Sequence, residues 1–140
     1  MKEVPAKLKD ASSKSELLRL SYLGDNGVPQ VIPVWFIPID DTYYVATDAG
    51  HGKARALLRD PRAGWVIDGG DNPNYWGVAY SGRAQVVNDQ ALRSRIYTAM
   101  AEKYFSSPDD PNVEALFGKP DDPKTVYFAL LPDRVRSWEY

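Results

Sequence analysis

Four basic residues fall within ten positions of a chain whose formal net charge is −2: Lys53, Arg55, Arg59 and Arg62. The pattern places Lys53 in the first turn of a short helix, where its charge opposes the helix dipole and a bound phosphate would resolve the conflict. Arg55 and Arg59 are one helical turn apart and share a face. The cluster therefore indicates a local anion site, and a solvated helix face paired with Asp60 is the alternative.

Other kinds of chemistry have little support among the side chains. His51 is the only histidine and the chain has no cysteine, so we predict no metal site, and a histidine-based triad would depend on this one residue. The acidic pairs at 40–41, 109–110 and 121–122 fall in predicted turns, where Asp commonly serves the turn itself. No catalytic residue is assigned, and a reaction would rely on a bound cofactor.

Two strand-like runs position the basic cluster. The first, residues 31–37, is apolar on both faces, which predicts cover by a barrel interior and by a helix or a second chain. Pro33 cannot donate to a strand ladder, so this run should be a sheet edge or be bulged. It is either a wall for a flat heteroaromatic ligand or a barrel corner packed on a neighbouring chain. The second run, 42–48, leads through a glycine-containing turn into the basic helix.

The rest of the chain reads as short strands around one long helix, predicted over 89–105 with Asn88 as its N-cap. The N-terminal segment predicts no more than a ragged helical turn. The other predicted strands are 18–22, 63–67, 76–87, 125–131 and 134–138. The predicted turns are 25–27, 40–41 and 69–74, with a bulge or corner at Gly82. About six strands and one long helix indicate a single mainly β domain over residues 1–140, a small barrel with few helices.

Composition narrows the class of protein. Hydrophobic residues make up 44% of the chain and charged residues 26%, which is ordinary for a globular domain. The slight negative charge predicts no nucleic-acid or membrane partner. The polar N-terminus lacks the apolar core of a signal peptide, and no apolar run could span a bilayer, so we expect a cytoplasmic protein.

Four motifs in order carry a resemblance to a known family: GVPQVIPVWF, YYVAT followed six residues later by Lys53, SGRAQVV, and DRVRSW. Together they resemble the pyridoxamine 5′-phosphate oxidase-like, FMN-binding split-barrel family, which includes deazaflavin (F420)-dependent reductases. The resemblance implies a six-stranded split β-barrel. It also implies a flat ring lying along 33–35, partly on backbone groups, a phosphate held by Lys53, and a homodimer in which Trp138 reaches the partner's cofactor. The implied cofactor-binding residues are Pro33, Val34, Trp35, Ala46, Thr47, His51, Lys53, Arg55 and Trp138.

Departures from the family pattern limit which properties of the family the resemblance implies for this chain. Gly52 stands where full-length pyridoxamine phosphate oxidases have an arginine, and Gly77 where they have a glutamine. The Arg-x-His segment that grips pyridoxal phosphate does not follow Trp138, so we expect no vitamin B6 oxidation. Phosphate binding would then depend on Lys53, His51, backbone amides and Arg55.

The leading hypothesis is a flavin- or deazaflavin-dependent oxidoreductase that moves hydride between the ring and a small organic substrate. FMN needs only the phosphate site, whereas the anionic tail of F420 would favour the additional arginines. The alternative is a non-enzymatic carrier or sensor of FMN, haem or another planar ligand. A nucleic-acid-binding barrel fits the aromatic content but not the charge.

Overall fold

Residues 3–140 are described by the structure, a computed structural model of the chain. They form seven strands, four α-helices and a 3-10 turn at Asp25–Gly27. The strands are β1 (Leu18–Leu23), β2 (Pro29–Val34), β3 (Ile37–Ile39), β4 (Thr42–Asp48), β5 (Arg62–Asp71), β6 (Asn74–Val86) and β7 (Thr125–Glu139). The helices are α1 (Ala6–Lys14), α2 (Gly52–Arg59), α3 (Gln90–Phe105) and α4 (Pro111–Phe117). In this part of the chain, no helix is both long and apolar enough to cross a membrane.

The strands make one antiparallel sheet in the order β2-β1-β5-β6-β7-β4-β3. Its two edge strands, β2 and β3, are consecutive in sequence, and only Trp35 and Phe36 separate them. We call these two residues the crossover. Three Cα–Cα steps span at most about 11 Å, so the sheet must curl until its edges approach each other. The result is a barrel with one seam, between β2 and β3, that strand pairing does not close.

The strand number is seven rather than the predicted six, and the run predicted at 31–37 is not one strand. It divides at the crossover, because the chain there leaves one edge of the sheet and joins the other. The prediction that Pro33 lies on a sheet edge is confirmed, since β2 pairs only with β1. Val31, on the outer face of this run, is 66% exposed, so no helix of the described residues covers it there, and cover by a second chain stays a prediction.

Most of the predicted turns and strand ends can be compared directly with the structure. Asp40 and Asp41 both have positive φ, 49° and 66°, as a two-residue turn between β3 and β4 requires. The predicted turn at 25–27 is also confirmed. The predicted loop at 69–74 is shorter in the structure, because β5 and β6 stay paired as far as Asp71 and Asn74 and leave only residues 72 and 73 as the turn. The two final predicted strands are one, β7, with the expected irregularity opposite Gly82.

The core lies on both sides of the sheet. Alternate residues of β4 enter different clusters, because successive side chains of a strand point to opposite faces. Tyr43 and Val45 pack inside the barrel with residues of β1, β5 and β7, whereas Tyr44 packs with Ile96 and Met100 of α3.

Two helix predictions are corrected. The N-cap of α3 is Asp89 rather than Asn88, because the Asp89 carboxylate accepts the Leu92 N–H. The predicted ragged turn near the N-terminus is the nine-residue α1, which buries Leu8 against Val78 of β6.

Candidate functional site

The turn between β4 and α2 brings the predicted phosphate-binding residues to one end of the barrel. Asp48 fixes this turn twice, by accepting the Gly50 N–H on its Oδ1 at 2.7 Å and the His51 N–H on its carbonyl at 3.0 Å. The start of α2 is therefore held at a set distance from the end of β4. Lys53 lies in the first turn of α2, as predicted.

Lys53 is a half-buried cation without a partner. Within residues 3–140 its ammonium makes no ion pair, although eight other basic residues do. Burial lowers its pKa, because removal from water disfavours the charged form. An anion beside Lys53 would offset that desolvation, and a charge-assisted hydrogen bond is about twice as strong as a neutral one.

The backbone adds donors at the same place. The N–H groups of Gly52, Lys53 and Ala54 are in the first turn of α2, where a helix supplies no acceptors of its own, and they donate to no other described residue. His51 occupies the N-cap position, exposed, and its side chain does not cap the helix. Three unpaired amides therefore lie in the same helical turn as Lys53, and unpaired amides at a helix N-terminus commonly bind anions.

Thr47 contributes a further unpaired donor at the end of β4. The residue is only 7% exposed, and its hydroxyl has no hydrogen-bond partner among the described residues. Buried polar groups in proteins nearly always have one. Ala46 lies on the opposite face, against the α3 side of the core. The Thr47 hydroxyl is itself enclosed, so the donors that fit a phosphate group are the Lys53 ammonium and the unpaired amides at the start of α2.

The three arginines of the basic cluster are engaged elsewhere. Arg55 donates to the Gly50 carbonyl at 2.7 Å, and Arg59 pairs with Asp25 at 3.2 Å. Arg62 pairs with Asp60 and holds the pKa of that carboxyl at about 2. The predicted pairing of the helix face with Asp60 is thus made by Arg62, which lies beyond the helix.

The predicted ring wall, residues 33–35, adjoins this end of the barrel. Val34 packs in the barrel interior with Val45, and Trp35 packs with Ala46 on the α3 side. The indole of Trp35 is stacked on Tyr104, with ring centroids 4.3 Å apart and planes within 7°. Tyr104 therefore covers one face of the Trp35 indole.

Trp138 is not brought to this site within one chain. The first half of β7 pairs with β4, where Val126 lies opposite Thr47. Trp138 is twelve residues further on, roughly 40 Å along an extended strand, and pairs with Gly77 of β6. Its indole covers Gly77, where a Cβ would come within 2.2 Å of the ring. The chain end is thus held in the sheet through the pairing of β7 with β6.

Sequence reasoning missed the residues that hold the crossover. Tyr104 and Lys103, in the last turn of α3, hydrogen-bond to the backbone of Phe36. The helical pattern placed both positions on the inward side of the helix, but contacts between residues almost seventy positions apart leave no local signal. Gly77 was noted as a departure from the family, without its packing partner Trp138.

The chain is similar to a known protein family and to several solved structures. A family model described as pyridoxamine 5′-phosphate oxidase matches residues 4–139. Among curated proteins, none matches the chain. A conserved hypothetical protein of Mycobacterium tuberculosis is 26% identical, with a TM-score of 0.84 over 99% of this chain and 86% of that chain.

Two further solved structures show the same fold. One is a FAD-binding protein of Mycobacterium smegmatis, 18% identical with a TM-score of 0.66, over 99% of this chain and 98% of that one. The other is a haem storage protein of Vibrio cholerae, 16% identical with a TM-score of 0.75, over 99% of this chain and 95% of that one.

Proposed function

This chain belongs to the pyridoxamine 5′-phosphate oxidase family, and we propose that it is a flavin-dependent oxidoreductase that takes FMN and acts on a small organic substrate. The observation that carries this proposal is the half-buried Lys53, which has no partner within residues 3–140 and lies in the same helical turn as three amides that donate to no described residue. Solved relatives that bind flavin, such as the FAD-binding protein of Mycobacterium smegmatis, support the class of cofactor.

Different residues of this chain would bind the phosphate and the ring of the cofactor. Lys53 and the first-turn amides of α2 would hold the phosphate, with exposed His51 at the N-cap of the same helix. The flat ring would lie along Pro33 to Trp35, at the open seam of the barrel. A bound flavin supplies the hydride chemistry. The protein's part is to orient the ring and keep water from it.

The engagement of the arginines favours FMN over F420. An anionic tail would need free cations near the phosphate site. Arg55, Arg59 and Arg62 already bind the Gly50 carbonyl, Asp25 and Asp60, respectively. FMN needs only the Lys53 site, where the described donors are unpaired.

We also propose that the working unit is a homodimer. The outer face of β2 and the loop before it expose apolar side chains: Val28, Pro29, Val31 and Pro33. A contiguous apolar strip on a sheet edge commonly marks an interface. Trp138 lies too far along β7 to serve the Lys53 site of its own chain, so any role in cofactor binding would be at the partner's site.

A planar-ligand carrier or sensor is the second candidate, because the fold is shared with a haem storage protein. His51, the only histidine, is exposed at the same site and is the one imidazole available as an axial ligand. In that case the open seam would hold the macrocycle, and no hydride transfer would follow.

Parallel titration of the purified protein with FMN, F420 and haem separates these candidates. We expect saturable quenching of FMN fluorescence at micromolar or lower concentration, with weaker binding of F420 and no Soret shift. A Soret shift with haem and no flavin binding would replace the proposal by the second candidate. Reduction of bound FMN by a hydride donor, followed by reoxidation with a small organic acceptor, would then establish the oxidoreductase activity.

A further inference from the structure

The crossover connects the two edge strands at the seam of the barrel. Side chains, rather than a neighbouring strand, hold its backbone. The Phe36 N–H donates to the Tyr104 hydroxyl at 2.9 Å. The Phe36 carbonyl accepts from the same hydroxyl and from the Lys103 ammonium, both at 3.0 Å. One turn of α3 thus satisfies both polar backbone groups of this residue.

The same turn of α3 also contacts Glu16, Trp35 and the ring of Phe36. The Tyr104 hydroxyl lies 2.8 Å from the Glu16 carbonyl, so its proton goes either to that carbonyl or to that of Phe36. Its ring stacks on Trp35, and the Lys103 ammonium lies 3.7 Å from the centre of the Phe36 ring. Because Phe36 is fully buried, both of its polar backbone groups need partners, and two side chains of α3 supply them. The last turn of α3 therefore holds the backbone of the crossover in one conformation.

These hydrogen bonds also set the direction of the Trp35 carbonyl. The Phe36 N–H and the Trp35 carbonyl belong to one planar trans peptide, so they point in opposite directions. With the N–H bound to Tyr104, the Trp35 carbonyl faces away from α3. It accepts no hydrogen bond from the described residues, and it lies at the end of the proposed ring wall.

We propose that Tyr104, assisted by Lys103, is a positioning residue that fixes the crossover and so directs the Trp35 carbonyl toward the edge of a bound flat ring. The inference rests on the proposed function, because it assigns the ring to residues 33–35. A ring of this kind carries an N–H on its edge that a fixed carbonyl can accept. Tyr104 touches neither cofactor nor substrate in this arrangement and acts through the backbone of Phe36.

The first test needs no ligand. Tyr104→Phe keeps the stack on Trp35 and removes only the hydroxyl, and Tyr97→Phe removes a hydroxyl on the same helix that bonds to no described residue. We expect amide exchange of Phe36 to be about tenfold faster in Tyr104→Phe, as for loss of one hydrogen bond. The increase at Phe36 should exceed that at the buried strand amide of Phe128, whose exchange, like the melting temperature, reports any loss of overall stability. Unchanged exchange at Phe36 would overturn the inference.

The second test uses FMN on the same proteins. Tyr104→Phe should bind FMN about tenfold more weakly and shift the long-wavelength flavin band, while Tyr97→Phe matches the wild type. Should Tyr104→Phe not fold, Lys103→Met, which keeps the apolar stem, should show the same direction of change. Wild-type affinity and spectrum in the variants would overturn the inference and leave the proposed function standing. A wild type that binds no flavin would overturn the proposed function and the ring-positioning role with it.

Discussion

At the scale of single residues, two lysines illustrate what local sequence can reveal. Burial lowers the pKa of both Lys53 and Lys103, the latter to about 8. The Lys103 ammonium contacts a carbonyl and two aromatic rings, whereas Lys53 has no ion-pair or hydrogen-bond partner within residues 3–140. The position of Lys53 was predictable, because helix starts follow from nearby residues. The environment of Lys103 was not, because its carbonyl partner is 67 positions away in the chain.

Gly77 provides a residue-scale prediction. Gly77→Ala places a methyl group 2.2 Å from the Trp138 indole, so the ring must leave its place. Overpacking of this kind costs about 1–3 kcal/mol, and urea unfolding should show that loss. In the Trp138→Ala background the same change should cost much less, because the obstacle is gone. Equal costs in both backgrounds would show that Trp138 does not cover Gly77 in solution.

At the scale of elements, strand periodicity and turn residues predicted most of the sheet. The turn at Asp40–Asp41, the edge position of Pro33 and the irregularity opposite Gly82 all follow from local chemistry. The division of the 31–37 run could not be predicted, since an unbroken apolar pattern carries no sign that the chain changes edges. The break is fixed by α3, through contacts that form only in the folded barrel.

In the hairpin between β5 and β6, the sequence predicted a loop where the structure has paired strands. Its glycines favoured the loop prediction, because glycine is depleted in strands. In the fold, the Trp76 indole lies over Gly69, where a Cβ would approach the ring to 2.9 Å. Cross-strand cover of this kind keeps a glycine-containing strand paired. A tryptophan seven positions away along the chain is too common an arrangement to signal it.

At the scale of the whole molecule, the barrel has an exposed apolar edge and a tryptophan that cannot reach its own site. The proposed second copy of the chain would account for both features. It would cover the edge strand β2 and place Trp138 against the partner's ring wall. In that arrangement the residues around Lys53 could be predicted from the sequence of one chain, whereas the part that Trp138 plays would depend on assembly.

Light scattering tests the assembly. We expect about twice the 15.7 kDa chain mass at micromolar concentration. Val31→Arg, which puts a charge on the exposed strip, should shift the population to monomer, while Leu116→Arg, at a similarly exposed apolar residue on α4, should not. A wild-type monomer at these concentrations would exclude the shared site.

The central claim is that Lys53 holds the phosphate of a flavin, and paired titrations with FMN and riboflavin test it most directly, since riboflavin lacks only the phosphate. A charge-assisted bond contributes about 1.5–3 kcal/mol, so the wild type should prefer FMN by roughly 10- to 100-fold. Lys53→Ala should lose most of that preference by weakening FMN binding alone, and Lys14→Ala, at an exposed lysine on α1, should keep it. An equal preference for FMN in the wild type and in Lys53→Ala would contradict the account.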